Sequence, residues 1–154
     1  MKKLQANLWR TASKDATPPP AKVEGLLVNV AFTTAKATLA ALRQASRLTQ
    51  GLHGSIRVIV PHVVPYPLDL NHPHVNPEFM TERLRDLTTK AGANLRFEIV
   101  ACREIAHAYT VALDRNSLVI VAGRKHWWPT REVRLARSLT CKGHDILFVD
   151  MEKP

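Results

Sequence analysis

Short apolar runs without charge alternate with amphipathic stretches along most of this chain. The first run, residues 26–32 (LLVNVAF), and the fourth, residues 118–122 (LVIVA), are uncharged from end to end. Such runs predict strands that are buried on both faces, as parallel sheets require. Between the runs, apolar residues recur at the three- and four-residue spacing of helices. Alternation of strand and helix therefore predicts a parallel sheet with helices on both faces.

Five strands separated by four helices are predicted. The strands cover 26–32, 55–64, 95–100, 118–122 and 146–149, and the helices run from Thr34 to about Gly51 and over 78–91, 104–115 and 131–142. The run at 95–100 (LRFEIV) alternates apolar and polar residues, which predicts a half-exposed strand at a sheet edge. Right-handed crossovers and central uncharged strands then favour the spatial order 3-2-1-4-5, numbered along the chain.

This order predicts an open five-stranded α/β sheet with a switch point between its first and fourth strands. Ligands of such sheets bind in the crevice at the carboxyl ends of the strands at that point. Thr33 and Thr34, which can also cap the first helix, line one side of the predicted crevice. The segment 123–129 (GRKHWWP) lines the other side.

The 154 residues suffice for one domain, which we place at 25–154. Residues 1–24 contain three consecutive prolines and predict a flexible tail. The alternatives are docking on its own domain or on a partner, with a short amphipathic helix built on Leu4, Leu8, Trp9 and Ala12. No apolar run approaches the length of a membrane span. Two cysteines fit a reducing compartment without a disulfide framework, so we expect a cytoplasmic protein.

The net charge of +9 favours anionic partners, which include phosphate ligands, nucleic acids and anionic membrane surfaces. Residues 123–142 carry six basic groups against Glu132. Steps of three predict that Arg131, Arg134 and Arg137 share one helix face. This stripe lacks interleaved aromatic residues and any RNA or DNA motif, so we expect no nucleic-acid partner.

The chain resembles the universal stress protein family from about Gly25 to Met151. The resemblance lies in the element order and in three segments, 60–65 (VPHVVP), 117–123 (SLVIVAG) and 145–149 (DILFV). It implies an adenine-nucleotide-hydrolase-like α/β fold, homodimerisation and a role in stress response or regulation. ATP-binding members carry an aspartate at the end of the first strand and a G-x2-G-x9-G loop, followed by Ser or Thr, after the fourth.

The sequence departs from this ATP-binding pattern. Ala31 or Phe32 stands in place of the aspartate, and Gly123 matches only the first loop glycine. His126, Ala136 and Arg137 occupy the remaining positions. A phosphate cradle needs backbone conformations that glycine adopts cheaply. We therefore doubt that ATP is bound in the usual way and leave the cofactor unknown.

The segment 123–129 remains the most informative one. An anion or nucleotide site is predicted from Gly123, Arg124, Lys125 and His126, together with Thr33, Thr34 and Arg137. The two tryptophans that follow, Trp127 and Trp128, are expected either to stack on a ligand ring or to cover the end of the sheet. A protein-contact surface is the third interpretation.

Other reactive residues do not form a recognisable set. His72 and His74, with Asp69 nearby, lack the spacing of a closed metal site, so no metal is expected. A dyad of Cys102 and His107 is conceivable, but a cysteine that ends a strand is more often a buried apolar group. The sequence thus favours a non-enzymatic regulatory or accessory domain. The alternative is a binding module for an anionic small molecule or nucleotide at the loop 123–129.

The last predicted strand, Ile146 to Val149, is short and apolar and lacks the lysines or prolines that normally protect an edge. Antiparallel pairing with a second copy about a two-fold axis would close such an edge, which predicts a homodimer. The competing arrangement has residues 1–10 covering this edge within one chain.

Overall fold

The computed structural model describes residues 8–11, 25–71, 77–91 and 95–152. In chain order its elements are β1 (Leu8–Thr11), β2 (Leu27–Ala31), α1 (Ala35–Thr49), β3 (Ser55–Val63), α2 (Pro77–Ala91), β4 (Leu95–Cys102), α3 (Ile105–Ala112), β5 (Leu118–Gly123), α4 (Arg131–Cys141) and β6 (Asp145–Asp150). No helix in this described part is long and apolar enough to cross a membrane.

The strands form one parallel sheet with the order β1-β4-β3-β2-β5-β6. Strands β2 to β6 are the five predicted strands, and their order 3-2-1-4-5 and the helices on both faces are as predicted. Val28 lies opposite Ile56 of β3 on one side and Leu118 of β5 on the other. The uncharged strands β2 and β5 each lie between two other strands of the sheet, and their faces are covered on both sides.

One strand was not predicted. Residues Leu8–Thr11 pair in parallel with β4, with Trp9 opposite Ile99. The predicted amphipathic helix is therefore wrong for these four residues. They cover the β4 edge of the sheet, so the arrangement in which residues 1–10 cover the β6 edge does not hold for 8–11. The rest of the tail lies outside the described residues, and its boundary with the domain at residue 25 stays a prediction.

The core has two layers because successive side chains of a strand point to opposite faces. Val28 and Val30 of β2 pack in the cluster that includes buried residues of α1 and α2. Ala31 packs in the cluster that includes buried residues of α3 and α4. The sheet is thus covered on both faces by pairs of helices.

The prediction of a half-exposed edge strand at 95–100 is wrong. β4 lies between β3 and β1, and its residues from Phe97 to Cys102 are all buried. Glu98, only 1% exposed, is paired with Arg57 of the neighbouring strand, whose Nη1 lies 3.2 Å from its Oε2. An alternating pattern indicates exposure only when its polar residues face water. Here the polar residue Glu98 contacts the guanidinium of Arg57, which is 41 residues away in the sequence, instead of water.

Asn29 of β2 extends this buried polar group to the centre of the sheet. Its Oδ1 accepts a 2.8 Å hydrogen bond from Nε of Arg57. Its Nδ2 donates to the carbonyl oxygen of Leu118 at 3.1 Å. These bonds satisfy most of the buried polar atoms of β2, β3 and β4, which lowers the cost of burying them. Nη2 of Arg57 is buried without a hydrogen-bond partner among the described residues.

Arg103, just after β4, binds the proline-containing segment that follows β3 (residues 64–68). Its Nη1 donates to the carbonyl of Val64 at 2.8 Å and its Nη2 to that of Leu68 at 2.7 Å. Its guanidinium also lies 4.0 Å from the centroid of the Tyr66 ring. Tyr66 is nevertheless 81% exposed, so it does not close over the sheet end as a lid would. His72 and His74 lie outside the described residues.

Candidate functional site

A cleft of about 570 Å³ opens at the carboxyl edge of the sheet. Its walls come from Phe32, Thr33 and Thr34 after β2, from Ile105 and Ala106 at the start of α3, and from one face of α4. The cleft lies at the carboxyl ends of the strands, as the strand order predicts, and Thr33 and Thr34 line it as predicted. The predicted second wall is wrong, because no residue of the segment 123–129 lines the cleft. A cavity of this volume lies within the usual range for small-molecule sites.

Three helices begin at the cleft. Thr34 is the N-cap of α1, and its Oγ1 accepts a 3.2 Å hydrogen bond from the backbone N–H of Ala37. The first turns of α3 and α4 contribute Ile105 and Arg131 to the lining. The start of a helix carries partial positive charge from its unpaired N–H groups. Together the three helix starts make the cleft electropositive at the backbone level.

Two arginine side chains add full charges to this backbone field. Arg131 and Arg134 both line the cleft and are exposed. Neither forms an ion pair with a carboxylate in the described part of the chain. Glu132 is the acidic lining residue and is partly buried. The side chains of the cleft therefore carry a net positive charge, which suits an anionic ligand.

The hydroxyl groups of the cleft are largely occupied by the protein itself. Oγ1 of Thr33 donates to the carbonyl of Ala122 at 3.3 Å, which joins the ends of β2 and β5. Oγ1 of Thr34 caps α1, as described above. Ser138, one turn after Arg134, is partly buried and lines the same wall. The threonines thus shape the cleft, and the charge comes from α4.

Arg137 lies on the other side of α4, so the predicted stripe of three arginines is wrong. One residue of an α-helix turns by about 100°, so six residues separate Arg131 from Arg137 by about 120°. Arg131, Arg134 and Ser138 face the cleft. Arg137 instead lines a second cavity of about 510 Å³ together with Lys125. Residues spaced three apart therefore share a helix face over about one turn only.

The second cavity lies between α4 and the edge strand β6. Besides its two cationic residues it is lined by Val133, Ala136, Thr140, Cys141, Ile146 and Phe148. Nζ of Lys125 is 5.4 Å from the centroid of the Phe148 ring. The residues predicted to form one site are therefore divided: Thr33 and Thr34 line the first cavity, whereas Lys125 and Arg137 line the second.

The loop between β5 and α4 projects into solvent. All five residues from Arg124 to Trp128 are exposed, Trp127 by 93% and Trp128 by 78%. The expectation that these rings cover the sheet end is wrong, and neither ring lines the cleft. His126 lies near the carboxylate of Glu152, which follows β6, with Nε2 3.8 Å from Oε1. Arg124 and His126 belong to neither cavity lining.

Gly123 owes its place to packing. A Cβ atom at this position would lie 2.6 Å from Cβ and 2.8 Å from Cγ of Glu132. The backbone thus passes directly beneath the first turn of α4, at one wall of the cleft. Gly123 also accepts a 3.0 Å hydrogen bond from the N–H of Met151 through its carbonyl oxygen.

The Cys102 thiol is not arranged as a nucleophile. It is buried, its Sγ donates to the carbonyl of His62 at 3.6 Å, and burial raises its pKa. Because the thiolate is the reactive form, this environment suppresses reactivity. Cys141 is exposed, and both cysteines are free. Within the described residues, no three His, Cys, Asp or Glu side chains are grouped to hold a metal ion.

Sequence reasoning missed Arg131, Arg134 and Ser138 as site residues. The available signal was the spacing 131, 134, 135 and 138, which marks one face of a helix. That face could be assigned to the cleft only once the position of α4 relative to β2 was known.

Comparison with solved structures identifies the fold. A universal stress protein in complex with cAMP superposes with a TM-score of 0.51 at 15% identity, covering 81% of this chain and 96% of that one. A universal stress protein from Archaeoglobus fulgidus superposes with a TM-score of 0.54 at 12% identity, covering 81% and 93%. The A. fulgidus protein in complex with dAMP gives 0.51 at 12% identity, covering 81% and 98%.

No protein-family profile and no curated protein matches the sequence. The structural matches are nevertheless nearly complete for the solved chains. The protein therefore has the universal stress protein fold, an α/β architecture of the Rossmann-like type.

Proposed function

We propose that this protein is a regulatory or accessory module that binds an anionic small molecule in the cleft between β2 and α4. The observation that carries the proposal is the cleft itself, in which three helix starts meet the exposed guanidinium groups of Arg131 and Arg134. Helix starts and arginine forks are the usual protein groups for phosphate and carboxylate. The proposed site thus lies beside the loop 123–129 rather than on it.

Nucleoside monophosphates are the first ligands to test. Two structures that share this fold hold cAMP and dAMP. The cleft combines the apolar side chains of Phe32, Ile105 and Leu135 with the cationic wall of α4. Such a combination suits a ligand with one ring system and one anionic group.

A purely binding role is supported by the chemistry of the lining. Its titratable side chains are the two arginines and Glu132, which provide charge but no nucleophile paired with a base. Cys102 is held as a buried thiol away from this lining. We therefore assign the cleft to ligand sensing, with the response passed to a partner.

The deciding experiment combines ligand discovery with a matched pair of variants. Small molecules released from the purified protein are identified by mass spectrometry, and AMP and cAMP are titrated by calorimetry. Arg131→Gln with Arg134→Gln should weaken binding by about 100-fold or more, since hydrogen bonds to charged groups contribute about 1.5–3 kcal/mol each. Arg137→Gln is the control, because Arg137 lies on the same helix but outside the cleft.

Two results would contradict the proposal. One is the absence of both a released anion and any binding of the monophosphates. The other is an equal loss of affinity in the Arg137→Gln control, which would place the ligand elsewhere.

A homodimer formed through β6 is the second part of the proposal. β6 is an edge of the sheet, and its residues from Ile146 to Val149 are only partly buried. The described N-terminal strand covers the opposite edge, so it does not compete for β6. The cavity between α4 and β6, whose lining includes Ile146 and Phe148 of β6, adds surface that a second copy would bury on pairing.

A further inference from the structure

The exposed apolar side chains are concentrated at one edge of the sheet. Large hydrophobic residues exposed in the described part of the chain number seven: Leu52, Val63, Tyr66, Phe79, Ile105, Trp127 and Trp128. Val63 and Tyr66 lie at the end of β3, Ile105 follows β4, and the tryptophans follow β5. Since these strands are parallel, all five residues lie at the carboxyl edge.

The spacing of the strands limits how far apart these residues can lie. β4, β3, β2 and β5 are consecutive in the sheet, and neighbouring strands are about 4.8 Å apart. The loops that carry the five residues therefore leave the sheet within roughly 15 Å of one another. We call these five residues the carboxyl-edge patch. Clustered exposed apolar groups mark interaction surfaces, whereas scattered ones do not.

The most exposed members of the patch are next to cations. These cations are Arg124 and Lys125, and His126, whose Nε2 lies 3.8 Å from Oε1 of Glu152, stands between them and the two tryptophans. All five side chains are exposed. Neither Arg124 nor Lys125 forms an ion pair with a described carboxylate. The loop 124–128 therefore suits a partner surface that accepts indole rings and carries negative charge close to them.

We propose that the carboxyl-edge patch docks on the head-group region of an anionic phospholipid bilayer. Trp and Tyr rings prefer the boundary between head groups and acyl chains, where an apolar body and a polar tip are both satisfied. Lysine and arginine close to an anionic leaflet add attraction that extends over a Debye length. The loop 124–128 presents both kinds of group together.

The composition of the patch favours a lipid surface over single-stranded nucleic acid. Base stacking requires flat rings, and a nucleic-acid surface interleaves them with cations along a groove. Here aliphatic Val63 and Ile105 accompany the rings. One face of the Tyr66 ring is already occupied by the Arg103 guanidinium at 4.0 Å. A broad apolar edge with cations beside it fits a plane of head groups better.

The experiment measures binding to vesicles of phosphatidylglycerol and to vesicles of phosphatidylcholine by co-sedimentation. Wild type should bind the anionic vesicles, and added salt should weaken binding. Trp127→Ser with Trp128→Ser should reduce the partition coefficient by about tenfold or more, since each ring loses its buried area. Arg124→Gln with Lys125→Gln should reduce it by about fivefold for each charge.

Matched controls lie at the amino ends of the strands, opposite the carboxyl-edge patch. Leu52→Ser removes an apolar side chain that is 58% exposed but lies outside the patch. Arg47→Gln removes an exposed cation near the end of α1. Both should leave vesicle binding unchanged. Circular dichroism should show the same melting for all variants, because the side chains concerned are exposed.

A second readout follows the rings directly. The chain has three tryptophans, so Trp9→Phe leaves Trp127 and Trp128 as the only indole fluorophores. Their emission should shift to shorter wavelength on adding phosphatidylglycerol vesicles. The proposal is overturned if wild type fails to bind these vesicles, if binding survives the loss of both tryptophans, or if the controls lose as much. Tryptophan-dependent binding of a single-stranded oligonucleotide without vesicle binding would overturn it in favour of nucleic acid.

Discussion

Arg57 and Glu98 form an ion pair inside the protein, with Nη1 of the guanidinium 3.2 Å from Oε2 of the carboxylate. Alternate residues of a strand point to the same face of the sheet, so Arg57 shares a face with Ile59, and Glu98 with Val100. Ile59 and Val100 pack in the cluster with α3 and α4, so the ion pair faces these two helices. Burial lowers the pKa of Arg57, and the charge of Glu98 opposes that effect. The two residues come from adjacent strands, so their pairing depends on the tertiary register of β3 and β4.

Breaking this pair should destabilise the fold strongly. Glu98→Leu leaves the Arg57 charge buried without its partner and should lower the free energy of unfolding by about 3–5 kcal/mol. Arg57→Leu with Glu98→Leu should cost less than Glu98→Leu alone, since no unpaired charge remains. Chemical denaturation measures both. Arg96→Leu, an exposed change on the same strand, serves as the control and should stay within about 0.5 kcal/mol.

Gly123→Ala should destabilise the protein through crowding. The added Cβ would lie 2.6 Å from Cβ of Glu132, and overpacking of this kind costs about 1–3 kcal/mol. Adding Glu132→Ala removes the Cγ contact at 2.8 Å and should restore part of the loss. Denaturation midpoints of the single and double variants check this. Equal stability of wild type and Gly123→Ala would show that α4 yields without cost.

Mg-ATP should bind weakly or not at all. Ala31 or Phe32 stands where the ATP-binding pattern has an aspartate, and Gly123 is the one loop glycine of that pattern that this sequence keeps. Calorimetry with Mg-ATP measures the affinity. A dissociation constant in the low micromolar range that is lost on mutating Gly123 would contradict this expectation.

Cys141→Lys should separate the proposed dimer without unfolding the chain. Cys141 is exposed on α4 beside β6, so a charge there is solvated in the monomer and buried on pairing. Sedimentation should show a dimer for wild type and a monomer for this variant. Phe148→Lys should act likewise, but it also removes a partly buried ring. Thr89→Lys on α2, on the opposite face, is the control. A wild type that stays monomeric at high micromolar concentration would refute the dimer.

His62 should make stability depend on pH. Desolvation lowers its pKa in the folded state from the ordinary value of 6.5. As pH falls below 6.5, the unfolded chain takes up the proton first, so the folded state loses stability until its own lower pKa is passed. His62→Gln should show a smaller loss than wild type in denaturation midpoints measured on both sides of 6.5. Equal losses in the two proteins would exclude His62 as a source.

The five strands β2 to β6, the order of these strands in the sheet and the four helices could all be predicted from the amino-acid pattern. These depend on local periodicity, since an uncharged run such as 118–122 has few alternatives to a buried strand. The Thr33 and Thr34 side of the cleft also followed from the strand order, because a parallel sheet of this order has one switch point. The opposite wall, built from α3 and α4 and not from 123–129, did not follow. Thr34 was predictable as a cap from its place before the first helix.

What each polar side chain faces depends on residues that are distant in the sequence and could not be predicted from the local pattern. Glu98 in an alternating strand looked solvated, but Arg57, distant in sequence, neutralises it. Arg131 and Arg137 looked equivalent, but the helical turn places them about 120° apart on α4, so they line different cavities. Covering the sheet end was one of three roles predicted for Trp127 and Trp128, but both rings are exposed. Local pattern reports how apolar a side chain is, whereas its neighbours across the fold determine whether it meets protein, ligand or solvent.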